Sequence, residues 1–240
     1  MKPIRINKYL ADQGLTTRRA ADKLIEAGKV LVNGQVAILG QKVVAGDKVE
    51  VLSHRPKAYI YLAYHKPAGE TTKERYQGPS LISISRTVLD DLFPLGRLDK
   101  ESRGLMILTN DGRLTDRLLN PDRDHEKEYW VTVDKPLKEG VLNHFARGMK
   151  IEGETTKTKP AKVEAENDYN FRIILTEGKK HQIRRMSAAW GYTVTDLVRL
   201  RIENVELGNL KAGETRPIVG QVLTELLSSL GLPNLSRSSK

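Results

Sequence analysis

The chain has 240 residues, of which 39% are hydrophobic, and this is enough for one large or two unequal domains with a real core. It contains no cysteine, which excludes disulfides, thiolate nucleophiles and thiolate metal sites and fits a reducing cytoplasm. No stretch approaches the roughly 20 apolar residues of a membrane span, and the N-terminus MKPIRINKYL lacks the apolar core of a signal peptide. We therefore expect a cytoplasmic protein without a membrane partner.

The net charge of +10 and the isoelectric point near 9.6 favour a polyanionic partner such as a nucleic acid. The charge is uneven along the chain. Residues 1–57 hold eleven Lys and Arg against five Asp and Glu, so six of the ten net positive charges fall in the first quarter of the chain.

Residues 1–54 are predicted to form a small domain, followed by a linker at residues 55–58. Ile6 and Leu10 mark a first helix that stops at Gly14, and a second helix runs from an N-cap at Thr17 to Gly28. The predicted strands are Val30–Val32 and Gln35–Ile38, joined by a turn at Asn33 and Gly34, and Lys48–Leu52. The helices leave five cations facing solvent: Arg5, Lys8, Arg18, Arg19 and Lys23.

This segment resembles the alpha-L RNA-binding module that occurs in a small-subunit ribosomal protein, tyrosyl-tRNA synthetases and several RNA-modifying enzymes. The matching residues are Arg5–Ala11 and Thr16–Arg19, and the resemblance extends over residues 4–52. It implies binding of structured RNA through the five exposed cations. It does not imply catalysis, because the same module occurs in proteins that only bind.

Residues 59–230 are predicted to form an α+β domain around a mixed, mainly antiparallel sheet, since many strands are interrupted by few helices. The predicted strands are Tyr59–Tyr64, Leu105–Leu108, Lys127–Val133, Ala161–Glu164, Asn170–Leu175 and Arg201–Leu207. The predicted helices are Leu114–Leu119, Glu139–Arg147, His181–Trp190 and Gly220–Leu230. Residues 231–240 are predicted to be a disordered tail.

The segment GRLDKESRGLMILTNDG, Gly96 to Gly112, isolates one carboxylate, Asp99, before an apolar run typical of a buried strand. Arg97 and Lys100 lie close to Asp99 in sequence. A carboxylate near such cations is expected to stay ionised and to be available as a nucleophile rather than as an acid.

Five segments in this order resemble the RsuA and RluB/E/F group of pseudouridine synthases, with the RluF-like, large-subunit branch most similar. They are KPAG at Lys66, GRLD at Gly96, HEKEYWVTV at His125, EGKKHQIRRM at Glu177 and RIENVELGNLKAGETRPI at Arg201. The resemblance implies an enzyme that isomerises one uridine of ribosomal RNA, 23S rRNA in this branch, and that needs neither cofactor nor metal. We expect the enzyme to act as a monomer.

The resemblance also implies roles for individual residues. Asp99 would be the catalytic carboxylate that attacks the sugar or the pyrimidine ring or assists the departure of uracil. Tyr129 would stack on the target base, and Arg184 would pair with Asp99 and fix its orientation. The further substrate-binding assignments are apolar contacts near the base from Leu175 and Ile183, phosphate contact from Arg185, and substrate contact from Arg97 and Lys66.

Three features depart from the family pattern. Arg103 stands where Glu or Gln is usual, and His181 stands where Asn is common. The loop Glu70–Pro79 is unusually polar after KPAG. These departures affect the predicted RNA contacts and leave Asp99, Tyr129 and Arg184 in place.

Two other functions are consistent with parts of the sequence. A non-catalytic ribosome-binding or assembly protein would need only the first fifty residues. A metal-dependent nuclease would use Asp99 with Asp111 or Asp116. The five histidines show no ligand spacing that favours zinc, and phosphate-loop, dinucleotide and serine-hydrolase motifs are absent from the sequence.

Overall fold

The computed structural model describes residues 3–13, 15–16, 18–52, 58–72 and 92–233. Several predictions concern residues outside these ranges: the helix stop at Gly14, the N-cap at Thr17, positions 55–57 of the linker, most of the polar loop Glu70–Pro79, and positions 234–240 of the tail.

The N-terminal module contains two helices and five short strands. Its elements are β1 (Ile4–Arg5), α1 (Ile6–Asp12), α2 (Arg18–Glu26), β2 (Val30–Val32), β3 (Gln35–Val36), β4 (Lys42–Val43) and β5 (Val49–Val51). The predicted turn is confirmed, because Asn33 and Gly34 both have positive φ, 51° and 80°, as a two-residue hairpin turn requires. Ile6, Leu10 and Ile25 pack with the strand residues into a separate core of this module.

The larger domain alternates strands with short helices. Its strands are β6 (Tyr61–Lys66), β7 (Phe93–Leu95), β8 (Arg103–Thr109), β9 (Lys127–Val133), β10 (Lys162–Asn167), β11 (Asn170–Leu175), β12 (Val194–Ile202), β13 (Val205–Glu206) and β14 (Thr215–Pro217). Its helices are α3 (Arg113–Leu119), a 3-10 turn (Pro121–Arg123), α4 (Val141–Ala146), α5 (Gln182–Ala188) and α6 (Gly220–Ser229).

Within the described ranges these nine strands form one sheet, in the order β10-β11-β9-β12-β8-β6-β14, with β13 paired to β12 and β7 paired to β8. The pair β8 and β12 is parallel and the other pairs are antiparallel, so the prediction of a mixed, mainly antiparallel α+β domain is confirmed. Gly104 pairs with Arg199 across the parallel contact at φ 111°. A Cβ there would collide with the Arg199 backbone, so the close approach requires glycine.

The sheet is covered by apolar side chains on both faces. Leu105 and Ile107 of β8 join a cluster with α3 and α6, whereas Met106 and Leu108 join a second cluster. A third cluster contains side chains of α4 and α5. The apolar run after Asp99 is thus the buried strand that its sequence predicts. Among the described residues, no helix is long and apolar enough to cross a membrane.

Two boundary predictions are wrong. The strand predicted at Arg201–Leu207 is instead the end of the longer β12, a turn at Glu203 with φ 50°, and β13. The charged residues of β12 obscured it in the sequence; Asp196, for example, pairs with Arg103 at 2.7 Å. The tail predicted from residue 231 begins too early, because Leu232 is buried in the cluster around α6.

Candidate active site

Asp99 lies in the turn between β7 and β8, four residues before β8 begins. The turn is closed by the Ser102 amide, which donates to the Asp99 carbonyl at 3.1 Å, and by the Gly69 amide, which donates to the Lys100 carbonyl at 2.7 Å. The Asp99 side chain is 31% exposed. The backbone therefore fixes the turn while the carboxylate stays accessible.

Lys66, the last residue of β6, stabilises this turn. It is fully buried, and its Nζ donates to the carbonyls of Pro67, Glu70 and Lys100 at 2.7, 2.8 and 3.4 Å. Burial lowers the pKa of this ammonium, and the nearby carboxylates of Glu70, Glu101 and Asp99 oppose that effect. An ammonium has three donors, and all three have backbone partners. Lys66 thus ties the KPAG segment to the Asp99 turn, and its predicted contact with substrate stays a prediction.

A cavity of about 290 Å³ opens at Asp99, and we call it the Asp99 cavity. Five predicted site residues line it: Arg97, Asp99, Tyr129, Leu175 and Ile183. Leu175 and Ile183 are each 4% exposed and give the cavity an apolar wall, while Tyr129 is half-buried between two apolar clusters. The first half of β9, the end of β11 and the start of α5 thus bring an aromatic ring and two aliphatic side chains together with the carboxylate of the Asp99 turn.

Among the described residues, His181 is the only basic side chain within 4 Å of the Asp99 carboxylate. Its Nε2 lies 3.3 Å from Asp99 Oδ1, and its side chain is 47% exposed. The residue has φ 51° and directly precedes α5. The sequence marked His181 as a departure from the family pattern without assigning it to the site. Its position inside the EGKKHQIRRM segment is the signal that could have done so.

The structure does not bring Arg184 into the predicted ion pair with Asp99. The Arg184 guanidinium donates from Nη1 to the Val194 carbonyl at 2.9 Å and from Nη2 to Ser102 Oγ at 3.3 Å. Ser102 in turn closes the Asp99 turn, so Arg184 acts on that turn through an intermediary. Its Nε is buried without a hydrogen-bond partner among the described residues.

Arg185 was predicted to face RNA phosphates, and this prediction does not fit its contacts. Its Nη1 donates to Glu154 Oε1 at 3.0 Å and to the Lys180 carbonyl at 2.9 Å. The ion pair with Glu154 compensates its charge within the protein. Consecutive helix residues point about 100° apart, which is why Arg184 turns towards the site and Arg185 turns away.

Glu177 also belongs to the Asp99 cavity, although the sequence did not single it out. It is 8% exposed, and its Oε1 accepts hydrogen bonds from the Lys159 amide at 2.9 Å and from Gln182 Nε2 at 2.7 Å. These contacts hold the turn before α5, and with it His181, in place.

The exposed cations of the N-terminal module are arranged as predicted. Arg5, Lys8, Arg18 and Lys23 are exposed, and Lys8 forms an i,i+4 pair with Asp12 at 2.6 Å. The side chain of Arg19 lies outside the described part of the structure.

The metal-dependent nuclease alternative loses Asp111, one of the two carboxylates that could accompany Asp99. Asp111 is fully buried, and its oxygens accept from the Arg113 guanidinium and from the Tyr61 hydroxyl at 2.7–2.8 Å. Burial, followed by the Asp111 charge, raises the pKa of Tyr61 far above its usual range. Asp111 is therefore committed to an internal ion pair.

Comparison with known protein families agrees with this geometry. A family model described as RNA pseudouridylate synthase matches residues 60–189, more than half of the chain. The chain belongs to the RNA pseudouridine synthase family. A second model, the S4 domain, matches residues 4–49, so the predicted alpha-L module is an S4 domain.

Two curated relatives of this pseudouridine synthase cover most of its length. The chain is 41% identical to the dual-specificity RNA pseudouridine synthase RluF of Escherichia coli K12, over 93% of this chain and 78% of the relative. It is 36% identical to the ribosomal small subunit pseudouridine synthase A of Pasteurella multocida, over 90% of this chain and 96% of the relative. The higher identity to RluF agrees with the predicted RluF-like branch.

A solved structure supports the fold of the whole chain. A crystal structure described as pseudouridylate synthase superposes with a TM-score of 0.70 at 32% identity, and the match covers 93% of this chain and 99% of the other. The predicted pseudouridine synthase fold with an N-terminal RNA-binding module is confirmed.

Proposed function

We propose that this pseudouridine synthase isomerises one uridine of bacterial ribosomal RNA, in the large subunit, and that Asp99 is the catalytic carboxylate. The observation that carries the proposal is that Asp99, Tyr129, Leu175 and Ile183 line one cavity. Similarity to RluF supports an RNA substrate, and the choice of the large subunit follows the RluF-like resemblance of the sequence motifs. We further propose that the enzyme acts in the cytoplasm as a monomer.

The reaction is an isomerisation in which the bond between ribose C1′ and uracil N1 breaks and a bond between C1′ and C5 forms. The proton on C5 is lost and N1 gains one, so atoms balance without a co-reactant. The partly exposed carboxylate of Asp99 can act on the ribose or on the ring, and both routes bring it against the same nucleotide. Arg184 then has a positioning role, through Ser102 and the Asp99 turn.

The walls of the Asp99 cavity suit a uracil that has left its helix. Tyr129 offers a ring on which a base can stack, an interaction worth about 1–3 kcal/mol per base. Leu175 and Ile183 offer aliphatic contact to the other side of the base. Arg97 is exposed at the same cavity and can meet the sugar-phosphate backbone.

Carbodiimide primer extension on total RNA tests this proposal. Cells lacking the protein are complemented with wild-type protein or with Asp99→Asn, and pseudouridine is mapped in both ribosomal subunits and in tRNA, because the RluF relative is described as dual-specificity. We expect a 23S rRNA stop that is lost in the deletion and returns with wild type, and a turnover by Asp99→Asn at least about a thousandfold lower.

The binding of Asp99→Asn is the control for folding, since Asn has the shape of Asp. We expect its affinity for unmodified rRNA to stay within a few-fold of wild type. Restoration of the stop by Asp99→Asn would contradict the role of Asp99. A map that is the same with and without the protein would favour the ribosome-binding alternative.

A further inference from the structure

A second cavity adjoins the Asp99 cavity, and we call it the Lys127 cavity. Its volume is about 460 Å³, and it shares Arg97, Tyr129 and the segment 177–179 with its neighbour. Apolar side chains of Leu95, Leu118 and Ile202 form part of its wall. The roles proposed above for Asp99, Tyr129 and the apolar base contacts do not require this cavity.

Arg199 of β12 lines the Lys127 cavity as an incompletely partnered cation. It is 3% exposed, and it donates from Nε to the Leu105 carbonyl at 2.7 Å and from Nη1 to the Arg97 carbonyl at 3.4 Å. Its Nη2 is buried without a hydrogen-bond partner among the described residues. A buried guanidinium is normally paired with a carboxylate. Within the described part of the chain, no carboxylate lies within ion-pair distance of Arg199.

Lys127 of β9 adds a second cation to the same wall. Its Nζ donates to the His125 carbonyl at 2.9 Å, and among the described residues it has no ion pair either. Burial lowers the pKa of Lys127, the charge of Arg199 lowers it further, and the charge of Glu203 opposes both effects. Lys127 and Arg199 repel each other beside the cavity, and an anionic ligand would relieve this repulsion. Side chains with perturbed pKa values are enriched at functional sites.

We propose that the Lys127 cavity binds a phosphodiester group of the RNA next to the nucleotide whose base enters the Asp99 cavity. This inference rests on the proposed function. A phosphate oxygen can accept from Lys127 Nζ, and its charge compensates both Lys127 and the neighbouring Arg199. Because Arg97 and Tyr129 border both cavities, one RNA strand can occupy both at once.

Two further charged side chains of the cavity wall, Glu177 and Lys179, are compatible with a phosphate ligand. Glu177 directs Oε1 towards the Lys159 amide and Gln182, so this oxygen is held by hydrogen bonds within the protein. Lys179 is partly neutralised by Glu154 at 3.4 Å. Among the described residues, Lys127 and Arg199 thus line the cavity without an ion pair, and exposed Arg97 lines it as well.

The test measures RNA affinity in the Asp99→Asn background, where turnover does not interfere. A fluorescein-labelled, unmodified 23S rRNA fragment that contains the mapped uridine is titrated at several salt concentrations, with fluorescence anisotropy as readout. We expect Lys127→Met to lower the slope of log K against log salt by about 0.7–0.9, the contribution of one phosphate contact. The control is Lys211→Met, an exposed lysine outside both cavities, which should leave the slope unchanged.

A modified RNA provides a second readout, in which each change in the RNA is compared between the protein with Lys127 and Lys127→Met. Each phosphodiester flanking the target uridine is replaced in turn by a neutral methylphosphonate. We expect one replacement to lower the affinity of the RNA for the protein with Lys127 about tenfold. The same replacement should lower the affinity for Lys127→Met much less. This measurement avoids Arg199→Met, whose loss of the Leu105 contact could prevent folding.

The outcomes separate the two proposals. The proposed phosphate site is wrong if every methylphosphonate weakens binding equally in the protein with Lys127 and in Lys127→Met. It is also wrong if Lys127→Met keeps the slope of log K against log salt of the protein with Lys127. If the protein with Asp99 intact forms no pseudouridine on this fragment, the proposed function fails, whatever the binding data show.

Discussion

The two domains of this synthase place their positive charge in opposite ways. In the S4 domain, Arg5, Lys8, Arg18 and Lys23 face solvent around a small apolar core. In the catalytic domain, Lys66 and Arg199 are buried and make hydrogen bonds to backbone carbonyls of the segments that carry the site. The same two residue types are therefore exposed to solvent in one domain and hold backbone segments in the other.

This difference has energetic consequences. Exposed cations act on RNA phosphates through screened interactions, so each contributes modestly and its effect depends on salt. A buried cation with backbone partners contributes to the stability and geometry of the protein itself, because its removal leaves buried acceptors without donors. We therefore expect substitutions of buried cations to have large effects on folding and turnover. Substitutions of exposed cations should have small effects on affinity.

The largest effect in this series should come from Lys66→Met. Methionine can fill the space, but the carbonyls of Pro67, Glu70 and Lys100 lose their donor, and we expect the free energy of unfolding to fall by about 2–4 kcal/mol. Urea unfolding followed by tryptophan fluorescence measures this, since both tryptophans, Trp130 and Trp190, lie in the catalytic domain.

The matched control for Lys66→Met is Lys162→Met, where the lysine side chain is 75% exposed and paired with Glu126 on the surface. It should change the free energy of unfolding by no more than about 0.5 kcal/mol. Equal unfolding midpoints for the two variants would show that burial of the charge does not set the size of the effect.

An intermediate effect is expected at His181, whose side chain is half exposed and contacts Asp99. Asn tolerates the left-handed backbone at this position but is too short to replace the imidazole. We expect His181→Asn to lower kcat for pseudouridine formation about three- to tenfold through poorer orientation of Asp99. The unfolding midpoint should stay at its wild-type value. A wild-type kcat would show that the imidazole does not position Asp99.

The sequence was most informative where a residue's role follows from its own segment. Tyr129 could be placed because Lys127–Val133 has strand character, and this strand is confirmed with the same bounds. Asp99 could be placed because glycine turns bracket a buried apolar run. Family resemblance then assigned functions to both, and the structure places both at one cavity.

The sequence was least informative where the partner lies far along the chain. Arg184 donates to Ser102, 82 residues away, and Arg199 donates to Leu105, 94 residues away. Lys66 is occupied by backbone carbonyls, which carry no side-chain signature. For the same reason β12 was mispredicted, because its charged side chains look solvent-exposed until their distant partners are known.

The smallest effect should come from Arg18→Gln in the S4 domain. Arg18 is exposed at the start of α2, so its removal disturbs no core contact. We expect KM for rRNA to rise about two- to fivefold at moderate salt, and the slope of log K against log salt to fall by about 0.7–0.9, with the change in KM larger than any change in kcat. Steady-state kinetics at two salt concentrations measures both quantities. Because screening weakens the contact that Arg18 makes, the KM values of wild type and variant should converge at high salt. A defect in KM that persists at high salt, or a defect in kcat, would mean that the S4 domain positions the target nucleotide as the catalytic domain does.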